Sequence, residues 1–225
     1  MLIKCAISID GYLDDASDQR LILSHPDDID RVDAVRAACD AILVGANTIR
    51  KDNPRLLIRS EVRRKERIAR GFAPDPVKVT MTASGSLDPQ SRFFTDGEGT
   101  RIVYCTDGIA GDLQERLGGI ADVVPCGNTI AGLHCVLADL YHRGIKKLVV
   151  EGGSAIITHV LSLGLVDEMQ ISVAPFFVGD PNAPRFTLPV NLPFDQHRKM
   201  KLHSVEKVGD MAVLRYFLGG QQSSL

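Results

Sequence analysis

The sequence has 225 residues, of which 44% are hydrophobic and 24% are charged, and its formal net charge is -2. These values are typical of an ordinary globular protein, and the length allows one domain or two small ones. A nearly neutral chain gives no reason to expect nucleic acid or a membrane surface as partner, and no apolar run approaches the roughly 18 to 20 residues of a membrane span.

Segments of strand length recur along the chain and alternate with segments of helical period. The strand segments are residues 2–8, 41–45, 77–82, 101–105, 121–125, 147–151 and 168–175, and the helical segments are residues 24–40, 131–144 and 153–164. Ser24 is the candidate N-cap of the first helix, and Gly144 and Gly164 are expected to end the other two. Strands that alternate with helices predict a largely parallel sheet covered on both faces.

The C-terminal part of the chain has a different pattern. Residues 201–218 alternate in polarity on both sides of Gly209-Asp210, which predicts an antiparallel hairpin. No linker rich in serine, proline or glycine divides the chain, so we expect one domain over residues 1–218 and a disordered tail over residues 219–225. At the other end, Asp10 comes too early for a secretory signal, and the first residues read as a strand.

The cysteines and histidines indicate neither a disulfide framework nor a metal site. The five cysteines are odd in number and form no C-x-x-C pair, a pattern that favours reduced thiols in a cytoplasmic protein. Residues 125–129 begin like half of a deaminase zinc signature, but the following cysteine is missing and no H-x-E precedes them. No two histidines have the spacing of metal ligands on one helix face, so no metal is predicted.

One run of charge needs an interpretation. Residues 59–71 hold six basic and two acidic side chains. Such a run can contact nucleic acid or a phosphate group, but no aromatic residue is interleaved for base stacking. The favoured interpretation is a solvated helix or long loop, and help in binding an anionic small molecule is the alternative.

Glu151-Gly152-Gly153-Ser154 lies where a predicted strand ends and a helix begins. In parallel α/β sheets, ligands bind beyond the carboxyl ends of the strands. The first turn of a helix has unpaired N–H groups, and glycine lets a phosphate approach the backbone. From the residues alone, a plain turn capped by Ser154 and an anion site both remain open.

A second polar stretch follows the strand segment 41–45. Asn47 and Thr48 can cap a short helix, and Asp52, Arg55 and Arg59 then crowd into a loop. These side chains can form local ion pairs on a surface, or the guanidinium groups can grip a phosphate. Asp10-Gly11, after the first strand, can be nothing more than a turn.

Taken together, these stretches resemble the dihydrofolate-reductase-like reductase family of riboflavin biosynthesis. The resemblance covers residues 2 to about 217 and implies a mixed, mostly parallel sheet flanked by helices, with a C-terminal antiparallel hairpin. The motifs that carry it are Ser8-Ile9-Asp10-Gly11, Arg36-Ala37, Val44-Gly45-Ala46-Asn47-Thr48, Asp52 to Arg59, Glu151-Gly152-Gly153, and the later Asp167-Glu168, Pro175 and Gly179.

The resemblance implies an NADPH-dependent reduction of the ribosyl group of a pyrimidine ribosylamino 5′-phosphate to the ribityl form. The implied cofactor contacts are Ala6, Thr48 and Asp52, together with the turn after Glu151. That turn contributes Gly152, Gly153, Ser154, Ala155 and Ile156 and extends to about His159. The implied substrate contacts are Arg36, Leu56, Arg59 and Glu151, with the arginines at the 5′-phosphate. Glu151 is the first candidate and Asp52 the second for stabilising charge or relaying a proton at C1′ during hydride transfer.

Two departures from the family pattern leave the exact substrate open. Tyr12 stands where many relatives have lysine, and Leu21 stands where an aromatic residue is frequent. Without a zinc deaminase signature, a stand-alone reductase is expected, acting on the diaminopyrimidinone or on the deaminated aminouracil. The alternatives are a reductase of another pterin-like, imine or carbonyl compound, a nucleotide-binding module, and an RNA-binding regulator. The resemblance also implies a homodimer, and we expect neither nucleic acid nor membrane as partner.

Overall fold

The computed structural model describes residues 1–17, 19, 21–127 and 132–218. The chain divides into two compact units: unit 1 is Met1–Ile29 with Val150–Leu225, and unit 2 is Asp30–Val149. The predicted tail, residues 219–225, lies outside the described residues. Within the described ranges, no helix is long and apolar enough to cross a membrane.

Strands and helices alternate over most of the chain, as the sequence predicts. The strands are β1 (Leu2–Ser8), β2 (Ala41–Gly45), β3 (Val77–Thr82), β4 (Arg101–Cys105), β5 (Asp122–Pro125), β6 (Leu148–Gly152), β7 (Glu168–Ala174), β8 (Lys201–Val208) and β9 (Met211–Phe217). The helices are α1 (Pro26–Ala38), α2 (Ala46–Asp52), α3 (Glu61–Ala69), α4 (Arg92–Thr95), α5 (Ala110–Leu117), α6 (Leu133–His142) and α7 (Ser154–Ser162).

Two predicted helix caps are wrong. Helix α1 begins at Pro26, and the ring nitrogen Nδ1 of His25 accepts the amide of Asp27 at 3.3 Å, so His25 serves the first turn instead of Ser24. Helix α2 begins at Ala46, directly after β2, and its N-cap is Gly45 with no side-chain cap. Asn47 and Thr48 therefore lie inside the helix, where their side chains cannot cap its first amides.

Unit 2 is built on four parallel strands in the order β5-β4-β3-β2. Val79 of β3 lies between Leu43 of β2 and Ile102 of β4 in the register, and all three side chains are fully or almost fully buried. Burying each such side chain contributes roughly 1.5–3 kcal/mol, which explains why these strands read as continuous apolar runs.

Unit 1 combines parallel and antiparallel strands. Strands β1 and β7 are parallel over Leu2–Ser8 and Glu168–Ala174, whereas β9 is antiparallel to both β7 and β8. The β8–β9 hairpin turns at Gly209, whose φ of 58° suits glycine. The predicted mixture of mostly parallel strands with a C-terminal antiparallel hairpin is confirmed.

The cysteine prediction is correct for three residues and wrong for two. Cys5, Cys39 and Cys105 are free and buried. Cys126, directly after β5, forms a disulfide with Cys135 of α6, and their Cα atoms lie 5.9 Å apart. The sequence spacing alone does not reveal this pair, because only the return of the chain from β5 to α6 brings the two side chains together.

Candidate functional site

The glycine turn after β6 is open on one side and has a backbone that favours glycine. Strand β6 ends at Gly152 and α7 begins at Ser154, so the predicted strand-to-helix corner is present. Gly152 has a φ of 150° and Gly153 a φ of 60° with a ψ of 141°, both in the region that favours glycine. A Cβ atom built on Gly152 meets nothing within 4 Å, so the space beside the turn is open.

Ser154 does not cap the helix that it begins. Its hydroxyl donates to the carbonyl oxygen of Arg185, and the N-cap Gly153 has no side-chain cap. The first amides of α7 therefore lack the side-chain acceptor that a serine cap provides, which leaves them available to an anionic ligand. Ala155 and Ile156 follow in the same turn, and Ile156 is buried.

The Ser8-Ile9-Asp10-Gly11 motif closes the carboxyl end of β1. The Asp10 carboxylate accepts hydrogen bonds from Ser8 Oγ at 2.5 Å and from the amides of Val178 at 3.1 Å and Gly179 at 2.8 Å. Desolvation opposes the charge, but these hydrogen bonds together hold the pKa of Asp10 below its ordinary value. Asp10 thus fixes the segment after β7 to the end of β1, the strand that carries Ala6.

In unit 2, helix α2 and the loop after it carry the second group of predicted site residues. Thr48 and Asp52 lie four positions apart on α2 and share one helix face. Helix α2 ends at Asp52, its C-cap Asn53 has a left-handed backbone, and Leu56 is left-handed as well, with a φ of 52°. Positive φ at a bulky residue is a genuine outlier, and such strain is concentrated at functional sites.

Arg36 and the loop are in direct contact. Its guanidinium Nη1 donates to the carbonyl oxygen of Leu57 at 2.9 Å, so Arg36 contacts the residue next to Leu56. The Leu56 side chain is only 2% exposed. Any contact of Leu56 with a ligand therefore uses its backbone. Arg59, at the end of the loop, is exposed.

Two buried carboxylates that the sequence analysis missed hold this loop. Asp33 of α1 accepts the amide of Arg59 and, at 3.2 Å, that of Ser60. Asp75 accepts the amide of Ile58 at 2.7 Å. The sequence feature that could have revealed them is an acidic residue at a position that is otherwise expected to be buried. Asp33 and Asp75 are each 3% exposed. Because buried carboxylates need donors, they indicate a loop whose backbone amides turn inward.

The basic run of residues 59–71 is mostly helix α3, and several of its arginines have partners within unit 2. Arg63 pairs with Asp30 at 2.5 Å and with Asp33 at 3.0 Å. Arg64 pairs with Asp75 at 2.7 Å, and buried Arg67 donates to backbone carbonyls of α1 and the loops around it. These side chains fix α3 to the unit, which favours the helix interpretation over a free basic surface.

A shallow cleft that the sequence analysis missed lies at the carboxyl ends of β3, β4 and β5. It is lined by Met81, Thr82, Tyr104, Cys105, Thr106, Cys126 and Gly132. It has room for only about one water molecule, so it is too small for a substrate or a cofactor. Among the residues that the structure describes, no group of histidine, cysteine, aspartate or glutamate side chains is arranged to hold a metal ion.

These features define an α/β protein with a glycine turn at the carboxyl end of β6 and a strained polar loop after helix α2, and ligands of α/β proteins usually bind beyond the carboxyl ends of strands. The predicted site residues fall into two groups. Unit 1 holds Ala6 and residues 151–156, and unit 2 holds Arg36, Thr48, Asp52, Leu56 and Arg59.

Comparison with known proteins identifies the family. The profile described as the RibD C-terminal domain matches residues 1–214, and the chain belongs to this family. It is 30% identical over 211 residues to the 2,5-diamino-6-ribosylamino-4(3H)-pyrimidinone 5′-phosphate reductase of Archaeoglobus fulgidus, covering 93% of this chain and 94% of that protein. The protein of the same name from Methanothermobacter thermautotrophicus is 31% identical, with 81% of each chain covered. The family predicted from the sequence motifs is confirmed.

Solved structures show the same fold. A pyrimidine reductase-like protein of Corynebacterium diphtheriae superposes with a TM-score of 0.79 at 21% identity, covering 98% of this chain and 91% of that one. A deaminase/reductase of Thermotoga maritima superposes with a TM-score of 0.75 at 21% identity, covering 97% of this chain and 56% of that one. At these identities the likeness shows the fold alone.

Proposed function

We propose that this chain reduces the ribosyl group of 2,5-diamino-6-ribosylamino-4(3H)-pyrimidinone 5′-phosphate to the ribityl form, with NADPH as reductant, in riboflavin biosynthesis. Its family and the names of its relatives confirm the predicted class, a reductase of this pathway that uses a nicotinamide cofactor. The choice of the diamino compound over the deaminated one follows the names of the two relatives.

The observation that carries the proposal is the glycine turn after β6. Its residues fit a dinucleotide diphosphate, because the space beside Gly152 is open, Gly153 has a backbone that side chains disfavour, and α7 has no side-chain cap. In this proposal, residues 152–156 bind the diphosphate, and Ala6, Thr48 and Asp52 contact the rest of the cofactor. When bound, the cofactor supplies the hydride, while the chain supplies placement and electrostatics.

The substrate contacts follow from the second group of residues. Arg36 and Arg59 bind the 5′-phosphate, since guanidinium groups match phosphate oxygens in pairs. The strained backbone at Leu56 shapes the loop between them. The Glu151 carboxylate stabilises the positive charge at C1′ of the opened sugar or holds the transferred proton, and Asp52 is the second candidate for this role.

The remaining parts of the proposal concern the assembly. Residues 1–218 act as one reductase domain in the cytoplasm, and two copies form a homodimer. Support for a dimer comes from β8, an edge strand of unit 1 whose Leu202 and Val205 are 48% and 59% exposed. Exposed apolar side chains on an unprotected edge strand favour pairing with another strand.

The loss of reduced-nicotinamide absorbance tests the reaction. We expect oxidation of NADPH with the diaminopyrimidinone ribosylamino phosphate, and a slower reaction with its deaminated counterpart or with NADH. Oxidation with neither pyrimidine, but with a pterin or another imine, would overturn the proposal in favour of the related reductase.

The role of Glu151 has its own test. Glu151→Gln is expected to lower turnover by about 10²–10⁴-fold, the usual contribution of a positioned acid or base, with NADPH affinity changed less than about twofold. Glu115→Gln, an exposed glutamate on α5, is the matched control and should keep its full rate. An unchanged rate in Glu151→Gln would transfer the role to Asp52.

A further inference from the structure

Arg185 and Tyr12 form a pair in unit 1 that the proposed function does not use. They form an antiparallel β-bridge, and the amides of Leu13 and Phe186 donate at 2.8 Å to the carbonyls of Pro184 and Gly11 on either side of it. Tyr12 is 3% exposed although it carries a polar hydroxyl. The backbone therefore fixes Arg185 directly beside a buried aromatic ring.

The side chain of Arg185 is fixed as well. Its Nη2 donates to the Tyr12 hydroxyl at 2.7 Å, and the centre of its guanidinium lies 4.5 Å from the ring centroid. A hydrogen bond and a cation–π contact hold the planar guanidinium in one orientation. An arginine that is already ordered loses less conformational entropy when it binds a ligand.

The positive charge of this pair is not neutralised within the described part of the chain. Arg215 of the same unit is paired with Glu168 at 2.5 Å, whereas the described residues place no carboxylate within ion-pair distance of Arg185. Arg185 is exposed, and Tyr12 uses only part of its N–H donors. The remaining donors are therefore accessible to an anion from solution.

The pair also lies at the glycine turn. The Ser154 hydroxyl donates to the carbonyl oxygen of Arg185, which joins the backbone of Arg185 to the first residue of α7. The backbone of Arg185 thus contacts the first turn of a helix that has no side-chain cap, and the exposed guanidinium belongs to the same segment of unit 1. Both favour the same kind of ligand group, a phosphate.

We propose that Arg185, oriented by Tyr12, binds a phosphate of the cofactor's diphosphate and so contributes to cofactor affinity. The inference rests on the proposed function, because it assigns a further residue to the same cofactor. Tyr12 is a positioning residue in this arrangement: its ring and hydroxyl hold the guanidinium, and only the guanidinium contacts the ligand.

The test is a fluorescence titration of the full chain with NADPH alone, followed by steady-state kinetics. Arg185→Gln should raise the Kd for NADPH by about 10-fold or more, because it removes a hydrogen bond to a charged group. The KM for the pyrimidine and kcat should each change less than about twofold. Arg185→Lys should recover part of the affinity, because it keeps the charge and loses the planar fork. Tyr12→Phe should give a smaller loss than Arg185→Gln.

Arg198→Gln is the matched control, because Arg198 also stacks on an aromatic ring, with its guanidinium 5.0 Å from the centroid of Phe194. It should bind NADPH as the wild type does, and thermal denaturation should show every variant folded. The affinity of the wild type should fall more steeply with added salt than that of Arg185→Gln. Wild-type affinity in Arg185→Gln, or a change confined to the pyrimidine, would overturn the inference. A wild type that binds NADPH but reduces neither pyrimidine would overturn the proposed function instead.

Discussion

Replacing Gly153 by alanine tests the structural basis of the proposed cofactor site. Gly153 is the N-cap of α7, with φ at 60° and ψ at 141°. A residue with a Cβ atom avoids this combination, and holding one there costs about 1–3 kcal/mol. The backbone strain at residue 153 is relieved only if its φ rotates towards negative values, and that rotation moves the first amides of α7.

The expected result has two parts. In urea unfolding followed by circular dichroism, Gly153→Ala should lower the free energy of unfolding by about 1–3 kcal/mol. In a titration with NADPH, the Kd should rise by about 10-fold or more, since a displaced turn loses hydrogen bonds from its amides and each tenfold change corresponds to about 1.4 kcal/mol.

Gly119→Ala is the control for this experiment. A Cβ atom at Gly119 meets nothing within 4 Å, and Gly119 is not among the glycines with positive φ. Its stability should change by less than about 0.5 kcal/mol. If Gly153→Ala is as stable as the wild type, the strain argument is refuted. If it is destabilised but binds NADPH normally, the turn is not the cofactor site.

Two further predictions concern buried charges of unit 2. Desolvation, aided by the nearby Arg101, lowers the pKa of Lys78 to about 8 from 10.5. The folded state therefore releases this proton at lower pH than the unfolded state. As a result, the free energy of unfolding should rise by up to about 3 kcal/mol between pH 8 and 10.5. Urea unfolding at the two pH values measures this rise, and Lys78→Met should abolish it. Asp75→Asn should cost about 1–3 kcal/mol and raise the KM for the pyrimidine, because Asp75 holds the loop at Ile58.

Specific experimental results would contradict each of these two predictions. Equal pH slopes in the wild type and Lys78→Met would show that Lys78 titrates alike in both states. For Asp75, the control is Asp122→Asn: Asp122 pairs with Arg143 at the same 2.7 Å but is 55% exposed, so the change should cost less than about 1 kcal/mol. An Asp75 variant that costs no more than this control would contradict the assigned anchoring role.

Much of the fold could be predicted because its signals are local. Buried parallel strands read as apolar runs, so β2, β3 and β4 match the predicted segments to the residue. The alternating pattern around Gly209 likewise predicted the hairpin. Helix α5 was missed, since its Leu113 and Leu117 are the only buried positions of a short segment and give little periodicity.

The motifs of the candidate site were equally local. At residues 151–154 a strand ends, two glycines follow and a helix begins, and these residue types alone predict that a ligand can approach the backbone closely. Tertiary structure decided the partners. Sequence could not show that the Ser154 hydroxyl turns to Arg185, that Arg185 covers Tyr12, or that Asp33 holds the loop at Arg59. Backbone preference is a property of neighbouring residues, whereas the partner of a side chain depends on which distant segments the folded chain brings within hydrogen-bond distance.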